Sequence, residues 1–157
     1  MKPYTPKEFK VMALRDCPMP EDMLLCDTPE KAVEYWKRHI ETGTYFNPDC
    51  ECLAVLMVTT RRRVKGHQLL TLGTIDTILV DPRTIFRGAV IAGAAAIILM
   101  HNHPSGEPEP SESDIKVTRD LIRAGEILKI AVLDHVIIGN PHFCSLRTLG
   151  WFASQSP

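Results

Sequence analysis

Two histidines one residue apart, followed by a serine and an aspartate, are the side chains of this sequence best placed to do chemistry together. The string runs His101-Asn102-His103-Pro104-Ser105-Gly106-Glu107-Pro108-Glu109-Pro110-Ser111-Glu112-Ser113-Asp114. Two imidazoles and one carboxylate offer two nitrogens and one oxygen to a single cation. Three protein ligands leave the fourth tetrahedral position open, which is the arrangement of a catalytic zinc rather than a structural one.

Local rules say how these residues are positioned. Ala96-Ile97-Ile98-Leu99-Met100 is short, apolar and partly β-branched, the pattern of a buried strand. If the extended backbone continues through His103, alternation puts His101 and His103 on one face, with Asn102 on the other. Pro104, Gly106, Pro108 and Pro110 then end the strand. Ser-x-x-Asp opens the next periodic segment as a capping box with Asp in the Glu position, Ser111 being the N-cap. Asp114 falls in the first helical turn, able to face back toward the strand end.

Each piece has a plain alternative. His-x-His is unspecific in a chain with six histidines. Ser111 alone reads as readily as a simple N-cap as it does as a catalytic hydroxyl. The conjunction carries the weight, because each added fixed position cuts accidental matches by roughly tenfold or more.

His-x-His-Pro-x6-Ser-x2-Asp resembles the JAMM signature of MPN-type metalloproteases. The fuller string from His101 to Pro108, with Leu133-Asp134-His135-Val136-Ile137-Ile138-Gly139 further on, is similar to the RadC branch of that superfamily. The resemblance covers roughly residues 46 to 150. It implies an α/β fold in which a mixed central β-sheet is flanked by helices, the JAMM/MPN (cytidine-deaminase-like) architecture. Residues 1–45 would be an N-terminal extension with a leading helix, and 151–157 a C-terminal tail. RadC proteins commonly carry a helix-hairpin-helix segment, and the expectation here is the short form without it.

The resemblance also implies Zn²⁺ held by His101, His103 and Asp114, and a glutamate on an early strand. Glu51, heading Glu51-Cys52-Leu53-Ala54-Val55-Leu56-Met57-Val58, matches best; its plain alternative is a solvated glutamate at a strand start. RadC sequences usually read Asp-Pro-Arg-Glu before the following helix. Here Thr84 replaces that glutamate, which concentrates the general-base role on Glu51. The implied reaction is hydrolysis of a peptide or isopeptide bond in a protein or peptide substrate. Glu51 would move the proton and Ser111, with zinc, would stabilise the oxyanion. Asp134 and His135 are secondary candidates. His135 reads equally as a support for the site and as a packed, backbone-bonded histidine.

Composition sets the outer bounds. A chain of 157 residues fits one domain, with 45% apolar and 24% charged residues. The formal charge of −1 gives no general attraction for DNA. The Arg61-Arg62-Arg63 cluster reads as a solvated hairpin tip rather than a nucleic-acid contact. Five cysteines without Cys-x-x-Cys argue against a disulfide framework or zinc ribbon. Cys50 and Cys52 flank Glu51 and are expected to pack away from its face. The start lacks the apolar core of a signal peptide, and no apolar run reaches membrane-spanning length, so the expected location is the cytoplasm. His67 and His142 read as surface or turn residues.

The remaining pattern predicts a helix over 29–42, strands at about 51–59, 64–72 and 75–80, and a helix over 82–95. It then predicts a helix from Ser111 to about Leu128, with Ile115, Thr118, Leu121, Ile122 and Leu128 on one side. A strand over 130–138 and a last one near 143–146 follow, and Trp151 and Phe152 could dock. Two other readings compete with hydrolysis: an accessory domain associated with DNA-processing machinery, and a metal-binding scaffold without turnover. The consecutive His-Asn-His is not the dispersed set of an HNH nuclease. A nucleoside deaminase would need His-x-Glu with Pro-Cys-x-x-Cys.

Overall fold

Seven consecutive buried residues make Cys52–Val58 (β1) a strand covered on both faces. The computed structural model describes Glu8 and residues 13–71 and 80–152. β1 pairs antiparallel with Val64–Thr71 (β2) on one side and with Ala96–Asn102 (β3) on the other. β3 pairs parallel with Ala131–Ile138 (β4), which pairs antiparallel with Phe143–Ser145 (β5). The sheet order is β2-β1-β3-β4-β5. A parallel neighbour needs a crossover, and the helix Glu112–Leu128 supplies it between β3 and β4. This is the expected α/β architecture with a mixed central sheet and flanking helices.

Alternation along β1 and β3 divides the core in two. Cys52, Ala54, Leu56, Val58, Ala96, Ile98 and Met100 pack against the helix Pro29–Tyr35 (α1). Leu53, Val55, Met57, Ile97 and Leu99 face Pro82–Ile91 (α2) and Glu112–Leu128 (α3). His101 continues the second set, so it points to the α3 side of the sheet.

Several elements differ from expectation. The helix expected over 29–42 changes winding after Tyr35, with Trp36–Ile40 forming a π turn that keeps Trp36, His39 and Ile40 buried. α2 stops at Ile91 rather than near 95, because Gly93 takes a left-handed φ of 59° and the Ala94 amide turns back to the Ala89 carbonyl. The buried stripe of α3 is Asp114, Thr118, Leu121 and Gly125, while Leu128 is exposed. The strand expected over 75–80 lies, but for Val80, outside the described residues.

Cys52 is buried but Cys50 is exposed, and all five thiols are free. Arg61, Arg62 and Arg63 are exposed at the β1–β2 turn. Phe152 packs on the α2/α3 side, and the Arg119 guanidinium lies over the Trp151 ring. No helix among the described residues is long and apolar enough to cross a membrane.

His67 is not a free surface residue. It sits in β2 with its Nδ1 2.9 Å from the Tyr35 hydroxyl, and burial pushes its pKa down to about 4. Protonation therefore favours the unfolded chain. The stability due to neutral His67 is complete above its unfolded value of about 6.5 and is lost as pH falls toward 4. Urea denaturation across pH should show a stability difference between wild type and His67→Gln that shrinks over this window. A difference independent of pH would remove the assignment.

Candidate metal centre

His101 and His103 emerge at the C-terminal end of β3, at the start of the proline-rich loop. The loop backbone is held there. The His103 amide donates to the Ile138 carbonyl, and the Gly106 amide to the His103 carbonyl. Asn140, beyond the end of β4, donates its amide to the Gly106 carbonyl. Alternation survives through this segment, and the two imidazoles lie side by side with Nε2 atoms 3.0 Å apart.

Asp114 arrives from α3 through the predicted capping box. The Ser111 hydroxyl oxygen accepts from the Asp114 amide, and Asp114 Oδ2 accepts from the Ser111 amide. The Ser111 hydroxyl also donates to Oδ2, at 2.7 Å. That leaves Oδ1 3.3 Å from His101 Nε2, while Oδ2 is 3.5 Å from His103 Nε2. Glu51 immediately precedes β1, and its Oε1 is 3.8 Å from His103 Nε2. One ligand atom each from Glu51, His101 and His103 lie within 4.8 Å of one another. The sequence thus nominates five residues, and the fold brings all five to one place. Ser111 is exposed and turned onto Asp114, whereas Glu51, His101 and Asp114 are buried.

The donor chemistry of the set fits a cation. His103 Nδ1 is 2.8 Å from the Glu107 carbonyl oxygen, which can only accept, so Nδ1 carries the proton. In the neutral ring Nε2 then presents a lone pair toward His101 and Asp114. A tetrahedral ion with bonds of about 2.0–2.1 Å spaces its ligand atoms about 3.3 Å apart. The Nε2–Nε2 separation of 3.0 Å and the 3.3 Å from His101 Nε2 to Asp114 Oδ1 lie near that value, while the 3.5 Å contact of His103 Nε2 is to the other carboxylate oxygen, Oδ2. Burial would raise the Asp114 carboxyl, but the His101 and His103 rings beside it and the Ser111 hydroxyl outweigh burial and hold it far below the usual range. Burial lowers His101, with Asp114 opposing, whereas the neighbouring Asp114 carboxylate raises His103.

Sequence reasoning missed a positioning side chain beside Glu51. Asn102 points away from the histidines, and its amide clamps the backbone on both sides of Glu51. Its oxygen accepts from the Cys52 amide at 2.8 Å, and its nitrogen donates to the Cys50 carbonyl at 3.0 Å. The residue between the two histidines therefore fixes the glutamate. Asp134, a secondary candidate, is a structural staple: its carboxylate accepts from the His135 and Arg147 amides and from the Ser145 hydroxyl. A cavity of about 400 Å³ between α1 and β4, lined by Arg62, Asp134 and Arg147 among others, includes none of the five nominated residues.

A family profile described as RadC-like JAB domain matches residues 26–151. The chain belongs to the RadC family. It is 44% identical over 125 residues to a UPF0758 protein of Desulforudis audaxviator, covering 80% of this chain and 52% of that protein. It is 46% identical over 97 residues to one of Chlorobaculum parvum, covering 62% and 44%. A UPF0758 protein of Methanococcoides burtonii is 41% identical over 103 residues, covering 66% and 45%. The chain spans about half the length of the curated relatives it matches. Every residue of the cluster in this RadC-family chain lies inside the matched segment.

Removing the Asn102 amide leaves the buried Cys52 N–H without its acceptor and the part-buried Cys50 C=O without that donor. Asn102→Ala should cost about 1–3 kcal/mol in urea denaturation. A loss under about 0.5 kcal/mol, the range of neutral surface changes, would show the clamp to be dispensable.

Proposed function

We propose that this chain is a zinc-dependent hydrolase of the RadC/JAMM type that cleaves an amide bond, peptide or isopeptide, in a protein or peptide substrate. The observation that carries this reading is the convergence of two imidazole nitrogens and two carboxylates on one point at the end of β3. Three of these groups, His101, His103 and Asp114, would hold the ion, leaving Glu51 as the base. The mixed nitrogen and oxygen donor set suits zinc better than a hard cation such as magnesium or calcium, which takes oxygen ligands. Bound there, zinc supplies Lewis-acid activation of water and of the scissile carbonyl.

The protein's own groups do the rest. Glu51 accepts one proton from the attacking water as its oxygen bonds to the carbonyl carbon. It returns that proton to the amide nitrogen as the C–N bond breaks. The Asn102 clamp keeps the Glu51 backbone in place through both transfers. His103 Nδ1 stays bonded to the Glu107 carbonyl, which holds its ring orientation. Ser111 is exposed on the substrate side, and its hydroxyl proton turns from Asp114 Oδ2 to the developing oxyanion.

Metal analysis of purified protein should find about one zinc per chain, reduced in His103→Ala and Asp114→Ala. Cleavage of a peptide library should fall by about 10² or more in Glu51→Gln, with zinc retained. Wild type without bound metal, or Glu51→Gln cleaving at the wild-type rate, would end this reading.

A further inference from the structure

The histidine on β4 reaches the site through an irregularity in its strand. Ile97 pairs with Val132, but Ile98 pairs with Asp134, so Leu133 is an extra residue in the ladder. Strict alternation from Val132 would send Asp134 to the α3 face and His135 to the α1 face. The bulge exchanges them, as bulges re-aim side chains elsewhere. His135 Nε2 comes to lie 2.7 Å from His101 Nδ1, and its Nδ1 lies 2.6 Å from the Thr118 hydroxyl oxygen. Both His135 and Thr118 are almost fully buried.

With both imidazoles neutral, donor counting assigns every proton in this chain of contacts. Thr118 Oγ1 is 2.6 Å from the Asp114 carbonyl oxygen, one helical turn back. A carbonyl only accepts, so the single hydroxyl proton lies there. Thr118 must then accept from His135, whose Nδ1 carries a proton. A neutral ring protonated at Nδ1 has its lone pair at Nε2, so His101 Nδ1 is the donor across the 2.7 Å contact. His101 is thereby left with its Nε2 lone pair directed at His103 and Asp114.

We propose that Thr118 and His135 are positioning residues that lock His101 in the Nδ1–H tautomer, so that Nε2 is always the ligating nitrogen. The relay closes a ring, because it starts on the backbone carbonyl of Asp114 and ends facing the carboxylate of the same residue. It rests on the metal-site reading only where metal affinity is the readout. Without the Thr118 acceptor, His135 gains by moving its proton to Nε2. That places two donors face to face and drives His101 into the form that cannot bind an ion through Nε2.

The test uses the whole chain and two variants. Thr118→Val keeps the shape and removes the hydroxyl; Thr118→Ser restores the hydroxyl and controls for packing. Long-range ¹H–¹⁵N spectra of the metal-free protein should show His101 and His135 as Nδ1–H in wild type and Thr118→Ser, with the pattern lost in Thr118→Val. Zinc affinity by competition with a chelating dye should fall about 10- to 100-fold in Thr118→Val and stay within about threefold in Thr118→Ser. An Nε2–H His101 in folded wild type overturns the proposal, and so does equal zinc affinity in Thr118→Val and wild type. If wild type binds no zinc, the hydrolase reading fails, and the spectra alone decide the relay. Intact zinc affinity with no peptide cleavage fails turnover and leaves the relay supported.

Discussion

Two imidazole nitrogens 3.0 Å apart, with carboxylate oxygens at 3.3 and 3.8 Å, make a buried pocket whose electrons face inward from every side. Such a pocket repels itself unless positive charge sits in it, and burial sharpens the repulsion by removing solvent screening. The surrounding structure holds the four groups against that repulsion. β3 aligns the histidines by simple alternation. The α3 cap ties the Asp114 carboxylate by one of its oxygens. The Asn102 amide fastens the chain around Glu51. These three restraints come from different parts of the sequence and meet only because β1, β3 and the start of α3 adjoin.

How much of this could be read from the sequence follows from the range of the interactions. The side-by-side histidines follow from a two-residue period, and the placement of Asp114 from a motif three residues long. Both are local, and both appear in the structure as expected. Glu51 was reached by resemblance, and the fold brings it to the pair. His135 was left open because alternation along β4 gives the wrong face; only the pairing with β3 reveals the extra residue at Leu133. Thr118 looked like part of an apolar helix face. Its hydroxyl has meaning only beside a histidine seventeen residues away. Asn102 looked idle because its partners lie some fifty residues earlier.

The fold elements show the same division. The helices predicted from 29, 82 and Ser111 start where expected, each behind a side-chain cap at Thr28, Asp81 or Ser111 that depends on neighbouring residues alone. Helix ends and windings are less legible. The π turn after Tyr35 and the stop at Ile91 depend on how side chains seat against the sheet. The swap of Ile115 and Leu128 for Asp114 and Gly125 on the buried stripe of α3 has the same origin, because the site and the close approach of the Ile130 backbone replace ordinary core there.

Exposure across the cluster is lopsided. The His101 side chain is 4% accessible and that of Glu51 7%, against 11% for Asp114 and 13% for His103. For a cation held as proposed, loading and escape share the opening bordered by His103, Asp114 and the exposed Ser111, the same side from which a scissile bond must approach. Occupancy by a peptide would therefore shut the exit, and a chelator would strip the ion more slowly from a protein with substrate seated than from one standing empty.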